Sequence, residues 1–139
     1  MSVVVVDASA ILAVVFPDER NGRAIDLGRQ LLESYAIAPA IWPTEVANAL
    51  VVGLRRGRIT APQLEACVTA LARFEVAVQP PPELAAVGRL CDLALEDGVT
   101  IDDAAYLSLA LRHGAELVTH DEALASAARP RGIRLWGDA

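Results

Sequence analysis

Unbroken apolar runs alternate with stretches of helical spacing along this chain. Ser2–Asp7 reads SVVVVD, a β-branched run that predicts a strand buried on both faces. Ala8–Phe16 follows as a short helix, stopped by Pro17 and the charged Asp18, Glu19 and Arg20. In Asn21–Glu33, Ile25, Leu27, Leu31 and Leu32 recur at helical spacing. Tyr35–Pro39 predicts a second strand. Pro43–Gly57 is a helix with Pro43 at or near its first position, closed by Gly57. Thr60–Phe74 is another, with Thr60 as N-cap and Gln63 completing a capping box. Glu75–Gln79 alternates as a third strand, broken by Pro80, Pro81 and Pro82. Glu83–Gly98 is helical. Thr100 caps the next helix, which Gly114 ends. Ala115–His120 is a fourth strand, Asp121–Arg129 a short helix and Gly132–Trp136 a fifth strand.

Strands thus alternate with helices over the whole length. That order predicts an α/β fold in three layers, α/β/α, with a central and mostly parallel five-stranded sheet. With 139 residues, the chain is expected to form a single domain over 1–139. The first apolar run lacks a basic flank, is interrupted by Asp7 and is too short to span a bilayer, so no membrane role and a cytoplasmic location are expected.

Net charge is −6, which alone argues against a nucleic-acid partner. Every basic residue is arginine. The missing lysine excludes a P-loop and, in their usual forms, receiver domains and haloacid-type phosphatases. Cys67 and Cys91 belong to no metal-binding spacing and read as buried thiols. His113 and His120 are isolated, so zinc is not expected. Tyr106, Trp42 and Trp136 read as packing residues rather than base-stacking platforms, since aromatics make up only 4% of the chain.

The carboxylates change this picture. Asp7 ends the first strand and Asp121 follows the fourth. Glu45 lies in the first turn of the helix after the second strand, and Asp102 and Asp103 open the helix before the fourth. In an open parallel sheet, ligands sit outside the carboxyl ends of the strands, where all of these segments arrive. Each acid singly has a plain explanation, because acids cap helices and favour their first turns. Capping does not require four segments to converge, however. Two carboxylates ~5 Å apart repel by about 3 kcal/mol at an effective dielectric near 20. Such a cluster needs protons or a cation, and hard oxygen donors without His or Cys suit Mg2+, with Mn2+ as a substitute. A metal ion would also restore a phosphodiester substrate to an acidic chain.

Four stretches, VVDASAIL (Val5–Leu12), PTEVANAL with RRGRIT (Pro43–Thr60), DDAAYLSLA (Asp102–Ala110) and LVTHDEAL (Leu117–Leu124), together resemble the PIN-domain family, in particular VapC-type toxins. The resemblance implies a metal-dependent endoribonuclease whose acidic site maps onto Asp7, Glu45, Asp103 and Asp121. One or two Mg2+ ions would orient a water and lower its pKa for in-line attack on phosphorus. Ser9 matches a small hydroxyl residue of the family and Thr119 a polar partner. Asn48, nearly one turn after Glu45, is either a supporting residue or an ordinary interior polar one. The family often has an uncharged residue where Asp102 stands. Asp103 is the site residue by alignment of DAAYLSLA, and Asp102 is either solvent-exposed or a modulator of the site. Arg55, Arg56 and Arg58 form the one tight basic cluster. It reads either as an RNA phosphate contact or, more simply, as cations at a helix C-terminus. The resemblance further implies an RNA substrate, a VapB-like antitoxin and a homodimer. Two other functions remain open on the sequence: a housekeeping PIN ribonuclease, and a catalytically silent α/β binding module. A small metal-dependent phosphatase is disfavoured by the missing lysine and by Ser9, where such enzymes carry a second Asp.

Overall fold

A computed structural model describes residues 1–138. Strands β1 (Val3–Val6), β2 (Tyr35–Ala38), β3 (Ala77–Val78) and β4 (Glu116–Val118) form one parallel sheet in the order β3-β2-β1-β4. Seven helices connect or flank them: α1 (Ala8–Val15), α2 (Gly22–Leu32), α3 (Trp42–Arg55), α4 (Ala61–Leu71), α5 (Leu84–Asp97), α6 (Ile101–His113) and α7 (Glu122–Ala128). Parallel crossovers are right-handed. The β1-to-β2-to-β3 connections therefore share one face of the sheet, and the return from β3 to β4 runs over the other. The helices follow suit: α1 packs on α2, α3 and α4, while α5 packs on α6, which lies against β1. This is the expected three-layer α/β/α arrangement.

Central position explains the composition of the first elements. Val4, Val5 and Val6 are buried because β1 is flanked by β2 and β4 and covered on both faces. In α1, every residue except Ser9 and Val14 is buried, so this helix is apolar nearly all round. The caps form as expected. Thr60 and Gln63 make a reciprocal capping box at α4, Thr100 accepts from the Asp103 N–H at α6, and Gly114 takes the left-handed conformation at φ 57° that ends α6.

The sheet has four strands rather than five. Of Gly132–Trp136, only Leu135 pairs, in a single parallel bridge to Leu117. Leu117 donates to the Arg134 carbonyl and accepts from the Trp136 N–H, and there the pairing ends. Two causes act together. Strand β4 stops at Val118 because Thr119 turns into the carboxyl-edge crevice, and Gly137, at φ 90°, turns the chain just after Trp136. Strand β3 is also shorter than Glu75–Gln79, since Glu75 sits at φ 46° and delays entry to the sheet.

Cys67 is buried and donates to the Val15 carbonyl, whereas Cys91 is exposed, contrary to expectation. Helix α5 is an outer layer in which only Ala94 is buried, so its apolar residues do not imply a core position. Trp42 and Tyr106 belong to the core, and Trp136 lies partly buried beneath the Arg23 guanidinium. No helix among the described residues is long and apolar enough to cross a membrane.

Candidate metal and catalytic site

The order of the sheet makes β1 and β4 neighbours at the point where the chain reverses its lateral direction, which is where open α/β sheets bind ligands. Asp7 follows β1 directly, and its N–H donates to the Val118 carbonyl of β4 at 2.9 Å. Its side chain makes no hydrogen bond to the start of α1, so it is not the cap that its position suggests. Instead Oδ2 accepts from the Ser9 hydroxyl at 2.6 Å and the Thr119 hydroxyl at 2.7 Å. Among the described residues Asp7 is the one buried charged side chain. Burying a carboxylate is costly unless it is hydrogen-bonded or paired with a cation.

The same two hydroxyls organise the loop after β4. Ser9 Oγ accepts from the His120 N–H at 3.0 Å, and Thr119 Oγ1 accepts from the Asp121 N–H at 2.9 Å. Each hydroxyl has one proton. With an N–H donating to each oxygen, both protons are committed to Asp7. Asp121 is set in turn by its own helix, since Oδ1 accepts from the N–H groups of Ala123 and Leu124 at 2.9 and 3.3 Å. This is an N-cap, as its place before α7 predicts.

Glu45 and Asp103 approach from α3 and α6. Glu45 Oε1 accepts from the Tyr106 hydroxyl at 2.6 Å. Burial pushes the Glu45 carboxyl above its ordinary pKa; the Tyr106 hydrogen bond opposes this, and the charges of Asp7, Asp102 and Asp103 reinforce it. Asp103 is pushed up for the same reasons, burial first, then repulsion from Asp121, Asp7 and Asp102, with the Thr100 hydroxyl acting the other way. Asp103 thus lies within electrostatic reach of Asp7, Asp121 and Glu45, and Glu45 within reach of Asp7, as their places on the sheet edge require. Asp102 is exposed beside them and acts through its charge.

Other expected residues fall elsewhere. Asn48 is exposed and makes no side-chain hydrogen bond among the described residues, so the structure gives it no supporting contact. Arg58 is engaged in an acidic clasp. It clasps Asp18 through two hydrogen bonds at 2.8 and 2.9 Å, pairs with Glu19, and lies over the Phe16 ring. Arg55 and Arg56 stay exposed at the end of α3 without an ion pair among the described residues. Tyr106 was legible only as packing. Its one further signal was its spacing, three residues past Asp103 on the same helix.

Among the described residues, no group of three or more His, Cys, Asp or Glu side chains stands close enough together to hold a metal ion on its own. Mg2+ does not require one, since it keeps several waters and binds through one or two carboxylates and substrate phosphates. The donor atoms suit it. Asp7 Oδ1, Glu45 Oε2 and Asp121 Oδ2 have no hydrogen-bond partner among the described residues, and neither they nor the Asp103 oxygens are sealed from solvent. Hard oxygens around a buried carboxylate, with no Arg pairing any of them, fit a divalent cation.

A sequence profile described as the PIN domain matches residues 4–130. The chain is 36% identical over 121 residues to Ribonuclease VapC3 of Pyrobaculum aerophilum, covering 87% of this chain and 91% of that protein. The crystal structure of PAE2754 from Pyrobaculum aerophilum is similar at a TM-score of 0.71 and 26% identity, over 96% of this chain and 83% of that one. FitAcB from Neisseria gonorrhoeae is similar at a TM-score of 0.65 and 17% identity, over 96% of both chains, a likeness of fold alone.

Proposed function

As the chain belongs to the PIN-domain family, we propose that it is a Mg2+-dependent endoribonuclease and the toxin of a toxin–antitoxin pair. One observation carries the nuclease proposal: among the described residues, three of four acids on one sheet edge each spend one oxygen on the fold and leave the other without a partner. Asp7, Glu45, Asp103 and Asp121 are the residues that would hold the ion. A bound Mg2+ supplies a water of lowered pKa and stabilises negative charge on the leaving oxygen. Ser9 and Thr119 hold the Asp7 carboxylate through Oδ2 and leave Oδ1 for the ion. Asp121 is held by the α7 N–H groups, which also favour negative charge there. Arg55 and Arg56 offer exposed cations for flanking phosphates. No Ser–His or Cys–His pair competes as a protein nucleophile among the side-chain hydrogen bonds of the described residues.

The toxin role rests on the likeness to a protein named Ribonuclease VapC3. A VapB-like antitoxin and a homodimer follow from it as proposals. Half-exposed Val51, Leu54 and Val68 on α3 and α4 supply apolar surface for such partners. The test is cleavage of purified total RNA by metal-stripped protein, with and without Mn2+, beside Asp7→Asn. Metal-dependent cuts at discrete positions, lost in the variant, are the expected result. A wild-type protein that stays inert with Mn2+, while an active PIN nuclease cuts the same RNA, refutes it.

A further inference from the structure

Tyr106 is a core residue whose hydroxyl has no packing duty. It is 1% exposed, in the middle of α6, and a phenylalanine there would fill the same space. Burying a hydroxyl costs free energy unless it finds a partner. Here the partner is a carboxylate 61 residues away in the chain, at 2.6 Å. That is a short, charge-assisted hydrogen bond. It is also the one hydrogen bond to a protein side chain that the Glu45 carboxylate makes among the described residues.

The geometry points to Tyr106 as a positioning residue that holds Glu45 for the divalent cation, an inference that rests on the metal-dependent site proposed above. Glu45 is half-buried in the first turn of α3 and, left alone, would sample many rotamers. The Tyr106 ring is fixed by the core, so its hydroxyl is a fixed anchor. By taking Oε1 it leaves Oε2 without a partner among the described residues. Tyr106 stands three residues after Asp103, close to one helical turn. Helix α6 thus delivers one acid itself and fixes a second acid carried by α3. Asp7 is held in the same manner by Ser9 and Thr119, so each of these two carboxylates has a hydroxyl donor on a separate segment.

The test is Mn2+ titration calorimetry on metal-stripped wild type, Tyr106→Phe, Glu45→Gln and the double variant, with melting curves for each. Tyr106→Phe is expected to weaken Mn2+ binding about tenfold, the lower range for loss of a partner that orients a ligand. In the Glu45→Gln background the same change should add nothing, because Tyr106 acts through Glu45. RNA cleavage should show a lower kcat at an unchanged KM. Wild-type Mn2+ affinity in Tyr106→Phe, or an equal further loss in the double variant, overturns the inference while leaving the metal site standing. A folded wild type that binds no Mn2+ overturns the metal site and this inference with it. If Tyr106→Phe does not fold, 3-fluorotyrosine in a Tyr35→Phe chain reports on Tyr106 alone. Its fluorine resonance should move on Mg2+ addition and hold still in Glu45→Gln, and a resonance indifferent to Mg2+ counts against the role.

Discussion

Replacing Asp103 by asparagine sets the two explanations of the acids against each other, because they predict opposite signs. If Asp103 serves α6, neutralising it removes a favourable charge from a helical first turn, worth about 0.3–1 kcal/mol. If it belongs to a crowded site, the change relieves burial of a charge and repulsion from Asp121, Asp7 and Asp102. One like charge at ~8 Å costs about 2 kcal/mol at an effective dielectric near 20, and screening at a partly exposed position reduces that to roughly 0.5–1 kcal/mol. Three such neighbours outweigh the dipole, and the Thr100 cap survives because it accepts from the backbone of residue 103. The metal-free Asp103→Asn protein should therefore be more stable by about 1 kcal/mol, a rise in Tm of roughly 3–4 °C for a domain of this size. The gain depends on pH. The folded-state pKa of Asp103 is raised above its unfolded value, so the folded wild type binds the proton more tightly, and its stability falls as pH rises through the window between the two. The advantage of the variant is full at neutral pH and shrinks on acidification through that window. Added Mg2+ should reverse the ranking, since a ligand at 100 times its Kd stabilises by about 2.7 kcal/mol and the variant binds it poorly. Scanning calorimetry of both proteins, with and without Mg2+, at neutral and mildly acidic pH decides the matter. A lower metal-free Tm for the variant, with no Mg2+ response in wild type, would refute the crowded-site account and leave Asp103 a helix residue.

Thr119→Val keeps the shape of the side chain but takes one hydrogen bond from the buried Asp7 carboxylate and strands the Asp121 N–H. A loss of about 2 kcal/mol is expected by urea denaturation, along with weaker Mn2+ binding. Unchanged stability would mean that the hydroxyl bonds are not made in solution. The arginines should separate by role. Arg55→Glu with Arg56→Glu should raise KM for RNA and flatten its salt dependence, while Arg58→Ala should lower Tm by a few degrees and leave RNA affinity unaltered. Equal effects of the two on binding would contradict the pairing of Arg58 with Asp18 and Glu19.

The elements legible in the sequence were those fixed by local chemistry. The β-branched run of β1, the capping box at Thr60 and the glycine stop at Gly114 all act within a few residues, and all form. Extent depends on partners, and there local pattern fell short. Gly132–Trp136 has strand character, yet it pairs at one residue because β4 has only three to offer and spends its next on the site. Cys91 sits in an apolar helix, but α5 is an outer layer. Arg58 belongs to a basic triplet in sequence and to an acidic clasp in space.

Asp121 shows that helix capping and ion holding are compatible in one residue. A carboxylate has two oxygens, and capping takes one. Asp121 does cap α7, as its position before Glu122 predicts, and it does so through Oδ1 alone. Asp7, by contrast, is placed where a cap would be and does not act as one; Ser9 and Thr119 claim its Oδ2 instead. Glu45 gives Oε1 to Tyr106. In each case the bond that satisfies the fold also fixes the direction of the oxygen left over. A site built this way is rigid before any ion arrives, which limits the ordering entropy that binding must overcome. It also carries a cost, because burial and neighbouring carboxylates disfavour charge on Glu45 and Asp103. The proposed divalent cation would relieve that repulsion. Neutralising Asp103 should therefore ease folding and impair binding at once, whereas Asp121→Ala also gives up the α7 cap.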